Sequence, residues 1–241
     1  MGILLCENFA LLLDIEMQKP GEDEVACATR LLQRLLLVYP RAFDLVMADG
    51  LYARAAFFRF IVRAGKHAIA VLKDDRRELI ADVKGLCRHH SSQLIRYKST
   101  TCRCWDIEHL SSWSTLGRKV RVVRSIETTA NGKEADWWWV TTIEKKFLPA
   151  DTFIALAHRR WDIENRAFNE LVTHWHADHV YKNHYAAIEF FWLLTMIAFN
   201  LFQAFFFFNI KPQRRLKLSK AIVARVLLSE LLQTLPTQTP L

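Results

Sequence analysis

Two acidic side chains could do chemistry together, one at the end of a strand and one on an apolar helix stripe. Asp49 closes the apolar run of residues 43–48 and is followed by Gly50. Placed on a helix at about 100° per residue, Glu164 falls on one stripe with Phe153, Ala157, Trp161, Phe168, Leu171, Val172 and Trp175. A carboxylate on such a stripe needs a cationic partner. Arg160, one turn earlier, is one partner, and a metal ion shared with a second carboxylate is another. Two convergent carboxylates suit one or two Mg²⁺ ions, which prefer hard oxygen ligands. A metal pair can activate an attacking oxygen and stabilise a leaving oxygen at phosphorus. The plainer alternatives are a turn cap for Asp49 and an ordinary ion pair with Arg160 for Glu164.

Positioning these groups falls to the elements around them. Residues 43–48 read as a buried strand, 53–64 as a helix closed by Gly65, and 68–72 as the next strand, followed by Lys73. A strand–helix–strand unit of this kind is parallel, and ligands gather outside the carboxyl ends of its strands. Asp49 and Lys73 are both expected there. Upstream, residues 3–6 and 9–15 read as short strands paired through Glu7 and Asn8. Glu22, Asp23 and Glu24 form the acidic first turn of a helix that stops at Pro40. Residues 76–86 read as a further helix. Pro149, Asp151 and Thr152 give the start of the helix expected to carry Glu164, with its centre at residues 156–175.

Between these parts the texture turns β-rich. Residues 120–128 and 137–143 read as strands joined around Asn131-Gly132, a strong hairpin signal. Residues 190–210 are apolar over nearly a membrane's thickness. They carry Thr195, Asn200 and Gln203, and a fully buried helix of a globular protein is the reading adopted, with no membrane. A basic tail and an amphipathic helix over residues 219–232 follow.

The formal net charge of +8 favours a polyanionic partner, of which nucleic acid is the usual one. Arg54, Arg59, Arg63 and Lys66 follow Asp49. Arg118, Lys119, Arg121 and Arg124 lie in the β-rich block, and Lys145, Lys146, Arg159 and Arg160 flank the Glu164 helix. Such cations can hold phosphates. Tryptophans 105, 113 and 137–139 are candidates for stacking on an unpaired base or for core packing. His174, His176, His179 and His184 with Asp178 invite a zinc site, but no cysteine lies near and polar packing is the preferred reading. The five cysteines are scattered, and residues 1–10 lack a basic start, so reduced thiols in a cytoplasmic protein are expected.

Five blocks add a resemblance. They are Phe43-Asp-Leu-Val-Met-Ala-Asp49-Gly-Leu-Tyr-Ala53, Gly65-Lys-His-Ala-Ile-Ala-Val-Leu-Lys73, Arg160-Trp-Asp-Ile-Glu164-Asn-Arg-Ala-Phe168-Asn-Glu-Leu, Ala177-Asp-His-Val and Ala198-Phe-Asn-Leu-Phe-Gln203. Together they resemble the DDE transposases of bacterial insertion sequences, and the Arg-Trp-x-Ile-Glu-Asn block is the most specific. The resemblance implies an α/β, ribonuclease-H-like mixed sheet with flanking helices and a β-rich insertion before the last acidic residue. It also implies DNA as partner and a homo-oligomer in the intact family. The chemistry would be strand nicking and joining, carried out by three acidic residues with two divalent metals, Mg²⁺ or Mn²⁺. By this match Asp49 resembles the second acidic residue and Glu164 the third, with Arg160, Lys73 and Asn165 as DNA contacts. The implied division is residues 1–90 as a partial core, 91–147 as the insertion, and 148–241 as the helical part carrying Glu164, plus the basic tail.

The chain departs from the family pattern at three points. The branch with a Tyr-x-x-Arg-x-x-x-Glu-x-x-x-x-x-x-Lys signature would have Tyr at Ala157 and Lys at Leu171. The first acidic residue belongs on a first strand, whereas Asp14 matches a third strand by position. The expectation is a chain truncated at its N-terminus, lacking that strand and impaired in activity. The alternative is a non-catalytic fragment that binds DNA or inhibits full-length transposase.

Overall fold

A computed structural model describes residues 1–6, 9–73, 77–163, 168–179 and 182–234. In chain order the strands are β1 (Gly2–Leu5), β2 (Ala10–Asp14), β3 (Leu45–Ala48), β4 (His67–Val71), β5 (Gln93–Tyr97), β6 (Thr100–Leu110), β7 (Val120–Thr128) and β8 (Glu134–Thr141). The helices are α1 (Glu24–Val38), α2 (Ala55–Arg63), α3 (Arg77–Cys87), α4 (Ala150–His158), α5 (Arg160–Asp162), α6 (Asn169–Trp175), α7 (Tyr185–Asn209), α8 (Pro212–Arg215) and α9 (Lys220–Thr234). They divide into two compact units, one formed by residues 18–164 and the other by 1–17 with 165–241.

The unit of residues 18–164 is built on a six-stranded mixed sheet in the order β3-β4-β8-β7-β6-β5. β3 and β4 are parallel, with Leu45 opposite His67 and Ala48 opposite Ala70. The remaining neighbours are antiparallel. Side chains alternate between the two faces along each strand. On one face Val46, Ala48, Ala68, Ala70, Val122, Trp138 and Val140 pack with Phe57, Phe58 and Ile61 of α2 and Leu79, Ile80 and Val83 of α3. On the other, Ile69, Val71, Cys102, Cys104, Val123 and Trp139 pack with Phe153, Ile154 and Ala157 of α4. A mixed sheet with helices on both faces is consistent with the expected ribonuclease-H-like fold.

Local chemistry sets the element ends. Asp23 caps α1 by accepting from Val25 N–H at 2.9 Å, and Pro40 lies two residues past the last helical position. Gly65 follows α2 with a φ of +73°, a conformation that favours glycine. Gly132, at +76°, turns the chain between β7 and β8, as the Asn-Gly signal predicts.

In the other unit, β1 and β2 form an antiparallel hairpin against α7. The Asn200 amide accepts from Leu12 N–H at 2.9 Å and donates to Leu12 C=O at 2.8 Å, which ties α7 to β2. α7 is long and apolar enough to cross a membrane by length and composition. It buries Thr195, Met196, Phe199, Phe202, Gln203 and Phe206, while Phe190, Ile197, Leu201 and Phe208 are exposed. It is therefore a one-faced helix, not a fully buried one, since its buried side chains recur three and four residues apart along one stripe.

Of the helix expected around residues 156–175, the structure describes 156–163 and 168–175, which hold the end of α4, α5 and α6. Arg159 N–H bonds Leu156 O at 2.9 Å, a tightened turn that ends α4. Phe153, Ala157 and Leu171 are buried as the stripe predicts, whereas Phe168 and Val172 are exposed.

Candidate active site

Asp49 directly follows β3, and Lys73 stands two residues beyond β4. Because those strands are parallel and adjacent, both side chains emerge at the same end of the sheet. Lys73 Nζ lies 3.6 Å from Asp49 Oδ2. Both groups are open to water, with 59% and 46% of their side chains exposed. Asp49 Oδ1 accepts from Gly50 N–H at 2.7 Å and caps the short turn Gly50–Tyr52. A Cβ on Gly50 would come within 2.7 Å of Lys73 Cδ, so the missing side chain lets the lysine stem lie across the turn. Tyr52 fixes this turn to α1 by donating its hydroxyl to Glu24 Oε1 at 2.6 Å. Burial, with Glu24 beside it, holds the Tyr52 phenol well above its ordinary range, so it acts as a neutral donor.

Arg160 opens α5 with its guanidinium 4.7 Å from the centroid of the Trp161 ring. Trp161 meets Trp137 edge-on at 4.7 Å. Glu164 and Asn165 lie outside the described residues. Two residues before Arg160, His158 ends α4 in a buried pair, its Nε2 2.8 Å from Glu127 Oε1 and its ring stacked on Tyr97 at 4.8 Å. This pair joins the end of α4 to β7. No periodic pattern marks it in the sequence, since Glu127 and His158 are 31 residues apart.

A family model described as the transposase DDE domain matches residues 1–201. The chain belongs to the transposase DDE domain family. No curated protein matches it. Transposases of this family act on DNA with divalent metal ions. In this transposase domain the donor at Asp49 fits such an ion, because Oδ2 is a hard, water-exposed oxygen whose contact with Lys73 is long. One carboxylate is an incomplete site, and among the described residues no group of three or more His, Cys, Asp or Glu side chains could hold a metal.

The geometry also sorts the basic and aromatic residues of the DDE domain. Arg121 is buried, bonded to Asp106 at 2.7 and 3.0 Å and to Leu148 O at 2.7 Å, so it is unavailable to DNA. Arg54 pairs with Asp23, Arg59 donates to Thr115 O at 2.7 Å, and Lys66 donates to Pro40 O at 2.8 Å. Trp113, Trp138 and Trp139 are core residues. Glu170 accepts from Gln203 at 3.1 Å and Lys220 at 2.9 Å, which gives Gln203 a structural use within its own unit. None of the five cysteines is in a disulfide.

Proposed function

We propose that this chain carries the metal-dependent strand-cleavage and strand-transfer chemistry of a DDE transposase, with activity impaired in the chain as it stands. Asp49 and Glu164 are the proposed ligands of Mg²⁺ or Mn²⁺, and Lys73, Arg160 and Asn165 the proposed DNA contacts. Residues 91–147 form the insertion in this scheme, between 1–90 and 148–241. The proposed setting is the cytoplasm, at the nucleoid, with a homo-oligomer as the working form. The observation that carries the proposal is the meeting of Asp49 and Lys73 outside the carboxyl ends of two parallel strands, the usual ligand position of such sheets.

When bound, divalent ions supply Lewis acidity at phosphorus-bound oxygens and lower the pKa of an attacking water. The chain's own groups do the rest. Asp49 presents one hard oxygen while its other oxygen keeps the turn in place. Lys73 supplies a cation that can turn from Asp49 toward a phosphate. Tyr52 and Gly50 hold the backbone of that turn.

Mn²⁺ titration followed by electron paramagnetic resonance tests the ligand assignment directly. Asp49→Asn and Glu164→Gln are each expected to weaken Mn²⁺ binding at least tenfold, and wild-type affinity in both would remove the proposed site. In a plasmid-nicking assay with Mg²⁺ or Mn²⁺, weak nicking lost in Glu164→Gln supports impaired catalysis. Robust strand transfer would overturn the impairment. The second reading, DNA binding or inhibition of full-length transposase without cleavage, is favoured by the two structural jobs Asp49 already performs, turn cap and ion pair. Salt-sensitive gel-shift binding with no nicking at any metal concentration would select it.

A further inference from the structure

The sheet of residues 18–164 overhangs the end where Asp49 stands. β4 pairs with β8 only as far as Val71 opposite Trp139, with one further bond from Leu72 N–H to Trp138 O at 2.8 Å. The N-terminal half of β8 therefore runs on past Lys73, accompanied by β7, β6 and β5. On one side this overhang is covered by α4. The other side, beyond α3, is open: Arg96, Arg103, Thr101 and Asp136 are exposed, and Leu94 is 74% exposed.

The open side carries an ordered set of cations and rings. Trp105 stands opposite Arg124, and Arg124 opposite Trp138. The Arg103 and Arg124 guanidinium carbons lie 5.4 and 5.2 Å from the Trp105 ring centroid. Arg124 also lies 4.7 Å from the Trp138 centroid, and Lys84 of α3 lies 5.8 Å from it. Trp105 is held from below by its Nε1, which donates to His90 O at 3.2 Å. With two guanidinium groups against it, the ring serves to fix arginines rather than to receive a base. Arg124 is spent on Asp136, which takes two of its donors at 3.0 and 2.8 Å. Arg103 and its diagonal neighbour Arg96 have no carboxylate partner among the described residues.

We infer that Arg103, held against Trp105 on the open overhang of the sheet, and its diagonal neighbour Arg96 form a phosphate track that holds the DNA backbone beyond the Asp49 end. The track rests on the DNA reading of the site. Its occupant is a phosphodiester chain because the charged groups on the exposed side of β5 and β6 are two guanidinium groups, Arg96 and Arg103, and the Arg103 fork held against Trp105 matches phosphate oxygens. Contacts of this kind are blind to sequence.

Fluorescence anisotropy of the full chain with labelled 30-base-pair DNA, measured from 50 to 200 mM salt, provides the test. Each lost phosphate contact lowers the slope of log affinity against log salt by about 0.9. Arg96→Ala/Arg103→Ala is expected to reduce the slope by about 2 and to weaken binding at least tenfold at 100 mM salt, alike for two unrelated sequences. Trp105→Leu is expected to weaken binding several-fold without loss of fold by circular dichroism. Arg118→Ala/Lys119→Ala removes the same charge at the opposite end of β7 and is expected to leave most of the binding. Equal losses in both double variants would reduce the track to bulk charge and overturn it. Unchanged binding in Arg96→Ala/Arg103→Ala, with the wild type still bound, would overturn the track alone. No wild-type binding at 50 mM salt would overturn the DNA reading as well.

Discussion

Arg121 and Arg124 lie three residues apart in β7 and serve opposite surroundings. Arg121 points under α4, where it and Asp106 are almost wholly enclosed, at 2% and 5% side-chain exposure. It also lies over the Phe153 ring and bonds the loop that leads into α4. Arg124 points to the open side, pairs with a half-exposed Asp136 and stacks between two tryptophans. The same contrast holds across the sheet. Beneath α4 lie the Glu127–His158 pair, Cys102 and Cys104. Across from them are Arg96, Arg103 and Leu94. One face spends its charges on fixing α4, and the other leaves them for a ligand.

The sharpest way to break this contrast is to remove one partner from each pair. Asp106→Ala strands a buried guanidinium and should cost about 3–5 kcal/mol in urea unfolding. Asp136→Ala should cost about 1 kcal/mol or less, because water replaces the lost partner. Comparable losses would show that both faces are equally dry. Truncating apolar side chains makes the same comparison without charge. Phe153→Ala should destabilise by about 3–5 kcal/mol, and Leu94→Ala by under about 0.5 kcal/mol.

Thiol chemistry offers a finer probe. Burial pushes the Cys104 thiol up to about 12, and it raises Cys102 as well. At pH 8 both should stay protonated, and mass spectrometry after iodoacetamide treatment should find them unlabelled until urea unfolds the chain. Labelling of Cys104 in the native protein would mean that α4 opens readily. The smallest effect is expected at Asp23. Its carboxyl is held below the ordinary range, first by Val25 N–H and then by Arg54. A depressed folded pKa stabilises above the unfolded value, and that stability fades as pH falls through the folded value. Asp23→Asn should flatten the acid limb of a pH–stability curve slightly while keeping the helix cap.

Much of the site's frame was legible because its signals are local. An apolar run ending in Asp49, a helix closed by Gly65 and a second run before Lys73 suffice to bring the two side chains to one sheet end. The Asn131-Gly132 turn likewise fixes the β7–β8 hairpin. The helix near Glu164 was legible only in part, since a stripe drawn at constant pitch cannot show the tightened turn at Arg159. β5 and β6 were blurred by polar and aromatic residues whose alternation has meaning only once the sheet is assembled. The basic residues were the least legible, because composition counts a charge without showing what it faces.

The sequence alone determined the period. In a strand, residues 121 and 124 must point to opposite sides, and Asp49 must follow its strand into solvent. Only the tertiary structure decided which side of β7 would be dry. α4 supplies Phe153, Ile154 and Ala157 to one face, and α3 stops short of the overhang on the other. Burial then turns Arg121 into a structural clamp, while water keeps Arg96 and Arg103 free to bind.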